Sequence, residues 1–282
     1  MTSGDGSFRD SPDIFQRFLA AHEKAERQAT AANDACAPFA PTRPRPPMPS
    51  KMPSGKWSHK WALPPLLPGD WRDVTPEDAA EALSIYSADV ANEHVPDFLS
   101  GSEVERMRAT PLSFYPGWML FDCQLTLKNG PRVLFDFLLG PDGAVLLDGT
   151  REPMLALADH LKSEFSEAAH ARDYMLFFSN NLRTKQGRFR ILISASDLLI
   201  DKTADAETRA ALKKAVRPLS QSKVAEDGTR FLTTVLYGGG LFYSTFHVSL
   251  KGVVAMVEDH LVMEDVPVVP EFFEGPFRLV EV

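Results

Sequence analysis

The chain has 282 residues, of which 44% are hydrophobic and 24% charged, so it can form a packed core and is not globally disordered. Its formal net charge of −8 argues against a broad surface for nucleic acid or for anionic membranes. The two cysteines exclude a disulfide framework and a zinc ribbon, and there is neither a signal-like N-terminus nor a long apolar run, so we expect a soluble cytoplasmic protein with no metal or cofactor motif.

An amphipathic helix is predicted for residues 11–28. Ser11 is a suitable N-cap, and Pro12 is a suitable first helical residue. The single apolar stripe is too short to stabilise an isolated helix, so we expect the stripe to dock either on its own domain or on a protein partner. The stripe consists of Ile14, Phe15, Phe18 and Leu19.

A proline-rich basic segment follows. Residues 37–69 contain no acidic residue and many prolines, which predicts a semi-extended linker. Its second half carries three tryptophans, Trp57, Trp61 and Trp71. Because exposed tryptophans are unfavourable, residues 57–71 are expected either to lie on the domain as an arm or to bind a partner, with Trp57 and Trp61 as contact residues.

The globular domain is predicted to open with a helix at Pro76, followed by two strands with alternating apolar residues at 118–127 and 132–139. A three-residue loop over 129–131 keeps the apolar side chains of both strands on one face, whereas a two-residue loop does not.

This register pairs Cys123 with Phe137. It also places Asp122 diagonally from Asp136, with Gln124 between them. Paired carboxylates can split their pKa values for acid–base chemistry or bind a cation. The alternative interpretation is a set of isolated surface aspartates.

The remaining pattern predicts a third strand, a helix from about Thr150 to Phe165, a strand at 188–194, a helix after Asp205, and three final strands. The cluster 174–178 either continues the earlier helix or begins a strand. The fold class is therefore α+β, with antiparallel meander sheets and helices packed on one side, preceded by the N-terminal helix and the linker. The predicted divisions are 1–36, 37–72, a domain at 73–266 (alternatively two subdomains at 73–178 and 179–266) and an extended C-terminal tail at 267–282.

The last hairpin contains a line of polar side chains. A turn at Lys251 and Gly252 places Tyr243 opposite His260, Thr245 opposite Glu258 and His247 opposite Met256. Histidine titrates near neutral pH, and a carboxylate can hold it in one tautomer, so these residues form a candidate catalytic site. The alternative is the solvated face of a sheet. The candidate catalytic residues are Tyr243, His247, Glu258 and His260.

A basic loop at 180–190 is a candidate anion site, because its arginines together with Phe189 could bind phosphate or stack a base. Its residues are Arg183, Lys185, Arg188 and Arg190. The alternative is a solvated turn or a protein contact.

Two hypotheses for function follow. The favoured one is a non-catalytic interaction or adaptor protein that engages a protein partner through the tethered N-terminal helix and the arm. The alternative is a small-molecule-binding protein or enzyme with a sheet-lined pocket and acid–base chemistry by the hairpin residues.

Overall fold

The computed structural model of the chain describes residues 57, 59–89, 98–99, 101–162, 164–184 and 186–280. The predicted helix at 11–28 and most of the linker lie outside these residues. The helices are α1 (Pro76–Asp89), α2 (Glu152–His160), α3 (Ala168–Asn181) and α4 (Ala206–Ala215). The strands are β1 (Arg72–Asp73), β2 (Glu103–Pro111), β3 (Met119–Thr126), β4 (Arg132–Gly140), β5 (Gly143–Leu147), β6 (Arg183–Thr184), β7 (Gly187–Arg188), β8 (Arg190–Leu192), β9 (Ser220–Ala225), β10 (Gly228–Tyr237), β11 (Gly240–Ser249), β12 (Val254–Met263), β13 (Phe272–Glu274) and β14 (Phe277–Leu279).

Two antiparallel sheets organise the described part of the chain. In the first sheet the strand order is β1-β2-β3-β4-β14-β13, and β5 pairs with β4 next to β14. In the second sheet the order is β12-β11-β10-β8, and β9 also pairs with β10. Strands β6 and β7 form a separate small hairpin. This combination of helices with antiparallel hairpins confirms the predicted α+β class.

Helices pack against both faces of the sheets, whereas the sequence predicted helices on one side. Helix α1 covers one face of the first sheet through Ala79, Leu83 and Tyr86. Helices α2 and α3 share a second core with residues of both sheets, and α4 packs against the second sheet through Leu212. Residues 174–181 of α3 are all buried, as expected for a helix enclosed on all sides. The undecided cluster at 174–178 therefore belongs to a helix.

The loop between β3 and β4 has three residues, as predicted, but they are 128–130 and not 129–131. Asn129 adopts a positive φ of 57°, which asparagine tolerates better than most residues. Pro131 lies outside the loop, directly before β4, and its carbonyl accepts from the Leu127 N–H at 3.1 Å. Its missing N–H is not needed there, because the Leu127 carbonyl accepts from the Gly130 N–H at 3.0 Å instead.

This loop shifts the predicted register by two residues. Cys123 pairs with Phe135 and not with Phe137, so that predicted pair is wrong. A shift of two keeps every side chain on its predicted face. It also moves Asp122 from a diagonal position to one directly opposite Asp136.

The last hairpin contains two shifts of register that the sequence did not predict, one between Leu241 and Phe242 and one, a β-bulge, between Thr245 and Phe246. Two of the predicted pairs are present, Tyr243 with His260 and Thr245 with Glu258. Val257 then interrupts the ladder, so His247 pairs with Ala255, and the predicted pairing with Met256 is wrong. Gly252 takes a positive φ of 78° at the end of the turn, and the Ser249 N–H donates to the Val253 carbonyl at 2.9 Å. The turn thus has three residues between the paired ends and not two.

The N-terminal caps of α1 and α4 are those predicted from the sequence. Thr75 Oγ1 accepts from the Asp78 N–H at 3.2 Å, and its hydroxyl donates to the Asp78 carboxylate at 2.8 Å. Asp205 accepts from the Thr208 N–H at 2.7 Å and caps α4. The helix predicted from about Thr150 to Phe165 is shorter than expected and ends at His160.

Candidate functional site

A buried polar surface lies on the first sheet, opposite the face that α1 covers. Side chains alternate along a strand, so one set of apolar residues of β3 and β4, including Cys123, Phe135 and Phe137, packs in the same core as α1. The polar residues point the other way, together with Leu120, Leu134 and Leu138. Strands β2 and β14 add charged residues to the same surface. We call the following six residues the polar face: Glu105 (4% exposed), Arg108 (6%), Asp122 (1%), Gln124 (0%), Asp136 (4%) and Arg278 (2%).

Two carboxylates lie at the centre of the polar face. Asp122 forms a buried ion pair with Arg108, whose Nε donates to Asp122 Oδ2 at 2.9 Å. Asp136 lies opposite Asp122 across the β3–β4 ladder. Burial raises the pKa of Asp136 to about 7, and the negative charge of Asp122 adds to this, against the opposing charge of Arg278. The carboxyl of Asp136 therefore titrates near neutral pH.

Glu271 joins an arginine of β7 and one from the end of the chain in the same region. Arg188 forms a bidentate ion pair with Glu271, with bonds of 2.7 and 3.0 Å. Arg278 Nη1 lies 3.7 Å from Oε1 of the same carboxylate. Burial alone raises the pKa of Glu271, but the charge and hydrogen bonds of Arg188 outweigh burial and hold that pKa at about 2.

Three residues of the predicted anion site belong to this cluster or lie near it. Arg188 makes the ion pair above, and Arg183 donates through Nη1 to the Gly275 carbonyl at 2.8 Å. Arg190 donates to the Asp197 carbonyl. Lys185 lies outside the described residues. The basic loop is thus tied to the rest of the chain by hydrogen bonds and ion pairs.

Within the arm predicted at 57–71, residues 59–64 lie across the polar face and are held by its side chains. The name arm is kept for these six residues. Each hydrogen bond that follows involves a main-chain group of the arm. Arg106, next to the polar face, donates to the His59 carbonyl at 2.7 Å, Arg108 to the Leu63 carbonyl at 3.1 Å, and Arg278 to the Pro64 carbonyl at 2.6 Å. Gln124 donates to the Lys60 carbonyl at 3.2 Å and accepts from the Ala62 N–H at 2.9 Å.

Trp61 provides the main side-chain contact of the arm. The Arg108 guanidinium lies 3.9 Å from the centroid of the Trp61 ring, in cation–π geometry. The indole N–H donates to Asp73 Oδ1 at 2.9 Å. Trp57, just before the arm, donates its indole N–H to the Val74 carbonyl at 2.5 Å. Both predicted partner-contact tryptophans therefore contact the domain itself.

The polar face has chemistry of two kinds. A carboxyl with a pKa near 7 can accept or donate a proton at neutral pH. Arginines can bind the carbonyl oxygens of a peptide or an anionic group. The second capacity is in use in this structure, because the arm accepts hydrogen bonds from Arg108 and Arg278.

The histidine hairpin has a different environment, on the outer surface of the second sheet. The Tyr243 hydroxyl donates to the Ala215 carbonyl at 3.0 Å, and Arg217 lies 3.5 Å from the centroid of the Tyr243 ring. His260 and Glu258 are exposed, and the nearest carboxylate oxygen to His247 Nε2 belongs to Asp227, at 3.8 Å. Because of the bulge between Thr245 and Phe246, the pairing of His247 is shifted by one residue relative to that of Tyr243 and Thr245.

Other candidate sites in the described residues are limited. An open groove of about 520 Å³ lies beside the first turn of α1, between Asp73, Asp78 and Met119. Among the described residues no three histidine, cysteine or acidic side chains are grouped so as to hold a metal ion. Within the same residues, no helix has the length and apolar character needed to cross a membrane.

Sequence reasoning missed Glu105, Arg108 and Arg278 as members of the polar face. Strand β2, which carries the first two, was not predicted at all, and Arg278 was assigned to an extended tail. The available signal was the pair Asp122 and Gln124 in an otherwise apolar strand, which requires polar partners from elsewhere in the chain.

Comparison of the chain with protein-family models, with curated proteins and with solved structures finds no match.

Proposed function

We propose that this protein is a non-catalytic interaction protein that engages a protein partner through its N-terminal segment. The apolar stripe of the predicted helix, from Ile14 to Leu19, is the primary contact in this proposal. The basic linker tethers that stripe to the domain, and tethering raises the local concentration of a bound partner.

The observation that supports this proposal best is the attachment of the arm. Trp57 and residues 59–64 contact the first sheet through hydrogen bonds to Val74, Gln124 and Arg278, among others. These contacts bring the C-terminal end of the linker to the surface of the domain. A linker without acidic residues that ends at the domain surface suits a recruiting segment.

Acid–base chemistry at the histidine hairpin has weaker support. The Tyr243 hydroxyl is already bonded to the Ala215 carbonyl, and His260 is exposed on an open sheet surface. Catalysis that depends on a positioned donor and base is favoured by a site that excludes water.

The test compares the full-length protein with its Phe15→Ser/Phe18→Ser variant. Both are immobilised at equal density, exposed to lysate of the native cells, and their bound proteins quantified by mass spectrometry. Gln16→Ser/Gln28→Ser is the matched control, because it introduces the same residue at two polar positions of the same predicted helix. We expect one partner to be lost, by about tenfold or more, only from the phenylalanine variant.

The melting temperature separates the two docking modes. If the stripe binds a partner in trans, both variants melt at the wild-type temperature. A lower melting temperature for the phenylalanine variant, with unchanged bound proteins, means that the stripe packs on its own domain, and the proposal fails.

A further inference from the structure

We propose that the polar face is a binding site for a peptide segment, that the arm occupies this site as an internal ligand, and that a tryptophan-containing segment of a partner protein displaces the arm. This proposal concerns the sheet surface and does not depend on the N-terminal helix.

The hydrogen bonds between the polar face and the arm hold its main chain along one path, which bends at Ala62 and Leu63. Gln124 bonds the carbonyl of Lys60 and the N–H of Ala62. Further along the arm, Arg108 binds the carbonyl of Leu63 and Arg278 the carbonyl of Pro64. Because the contacts are to main-chain groups, any segment whose backbone follows the same path can make them.

Trp61 gives the site a preference for one side chain. Its ring stacks against Arg108 at 3.9 Å, and its indole N–H reaches Asp73 at 2.9 Å. An aromatic ring without an N–H donor can keep the stacking but not the second bond. A competing segment is therefore expected to carry tryptophan at the position of Trp61.

The polar face is suited to exposure when the arm leaves. Arg108 is paired with Asp122 within the face, and Glu105 is paired with Arg132 beside it. Gln124 also donates to Glu105 at 2.7 Å. An apolar side chain, Leu134, lies between Gln124 and Arg278 on the same surface and is 1% exposed. The side chains of the face that bond the arm itself are nevertheless polar, and water can take the place of the arm at these groups.

The arm itself has the character of a segment that can detach. None of residues 59–65 is fully buried, whereas Leu66 and Leu67, which follow, are each only 6% exposed. The arm ends at Pro64, and Pro65 lies between it and these two anchoring leucines. Local opening is favoured in segments with few buried apolar contacts, so opening is expected to stop at this proline pair.

The polar face also has bonding capacity that the arm does not use. Arg278 is 2% exposed, yet its Nε and Nη1 have no hydrogen-bond partner in the described part of the protein. Oδ1 of Asp122 is likewise without a hydrogen-bond partner there. A partner segment that supplies an acceptor to Arg278 can therefore bind more tightly than the arm.

The experiment uses the full-length protein and a fluorescent synthetic peptide with the sequence of residues 57–68, WSHKWALPPLLP. Binding is measured by fluorescence anisotropy to the wild type, to Trp61→Ala, and to Trp61→Ala/Arg106→Ala. The internal arm competes at an effective concentration in the millimolar range, so weakening it is expected to tighten peptide binding about tenfold or more. Arg106 binds the His59 carbonyl, so Trp61→Ala/Arg106→Ala is expected to bind the peptide at least about fivefold more weakly than Trp61→Ala does.

Two measurements decide the outcome. Hydrogen exchange at the Ala62 amide, which is bonded to Gln124, reports whether the arm opens. If Ala62 stays protected in Trp61→Ala, the arm is a fixed part of the fold and the proposal fails. The proposal also fails if the arm opens but the peptide shows no saturable binding up to about 1 mM, the local concentration that a short tether provides. A peptide with alanine at the position of Trp61 is the matched control and is expected to bind about tenfold more weakly.

Discussion

Replacement of Asp136 by asparagine tests whether a neutral carboxyl lies in the centre of the polar face. In the folded protein burial raises the pKa of Asp136 from 3.8 to about 7. In the unfolded chain the group ionises near its ordinary value of about 3.9. Each tenfold change in proton affinity is worth about 1.36 kcal/mol, so the difference between the two states is about 4 kcal/mol.

The sign of the effect follows from which state releases the proton first. As the pH rises from about 4 to about 7, the unfolded chain ionises Asp136 while the folded protein keeps it protonated. The free energy of unfolding therefore falls by about 4 kcal/mol across this range, and above the folded pKa the loss is complete. Asparagine at this position does not titrate, so the Asp136→Asn variant lacks this fall.

Urea unfolding at several pH values between 4 and 8 measures the effect. At pH 4 the wild type and Asp136→Asn are expected to differ little, and at pH 8 the variant is expected to be more stable by up to about 4 kcal/mol. Asp259→Asn, at an exposed position of β12, is the control and is expected to follow the wild-type profile. Parallel profiles for the wild type and Asp136→Asn would refute the reasoning, because Asp136 would then ionise alike in both states.

Three further substitutions test the packing and the ion pairs. Arg108→Leu leaves Asp122 buried without its partner and is expected to cost about 3–5 kcal/mol in urea unfolding, most of which Asp122→Leu in the same chain restores. Gly140→Ala places a methyl group 2.1 Å from the Trp118 ring and is expected to cost about 1–3 kcal/mol, seen as a lower melting temperature. Glu271, with a pKa of about 2, contributes stability above pH 4.5 that is lost as the pH falls through 2. Glu271→Gln is therefore expected to be less stable at pH 7 and to lose less stability on acidification, as followed by circular dichroism.

Each of these expectations has a contradicting result. A double variant at Arg108 and Asp122 that stays as unstable as Arg108→Leu means that the lost stability comes from packing and not from an unpaired charge. An unchanged melting temperature for Gly140→Ala means that Trp118 moves freely. A wild-type acid profile for Glu271→Gln means that the ion pair with Arg188 adds nothing to the folded state.

The helix starts and the faces of the strands could be predicted because both depend on neighbours in sequence. Thr75 and Asp205 cap their helices through residues three positions away. Alternation in β3 and β4 assigned Cys123 and Asp122 to opposite faces correctly. These signals are local, and no distant residue can reverse them without exposing apolar surface.

The register of the hairpins was harder to predict, because alternation restricts the pairing only to every second residue. The choice between the remaining registers depends on the turn. There Asn129 takes the positive φ, and Pro131 pairs with Leu127 next to β4 instead of lying in the loop. In the last hairpin the bulge at Val257 inserts a residue into β12, and alternation alone contains no signal for it.

Strand β2 escaped prediction because four of its nine residues are charged, including Glu105 and Arg108. Their burial depends on partners far along the chain, Gln124 for the first and Asp122 for the second. A pattern analysis treats such residues as solvated, and only the assembled sheet reveals the pairing.

The polar face is not needed for stability alone, because buried ion pairs contribute little compared with apolar residues of the same volume. A sheet surface with leucine or valine in place of Arg108 and Asp122 can hold a covering segment at least as firmly. Apolar residues cannot, however, bind the carbonyls of that segment one by one, as Gln124, Arg108 and Arg278 do. Polar side chains select a backbone path and a register for it, which hydrophobic contact does not. The arrangement of charges under the arm therefore favours recognition of a peptide over simple closure of the core.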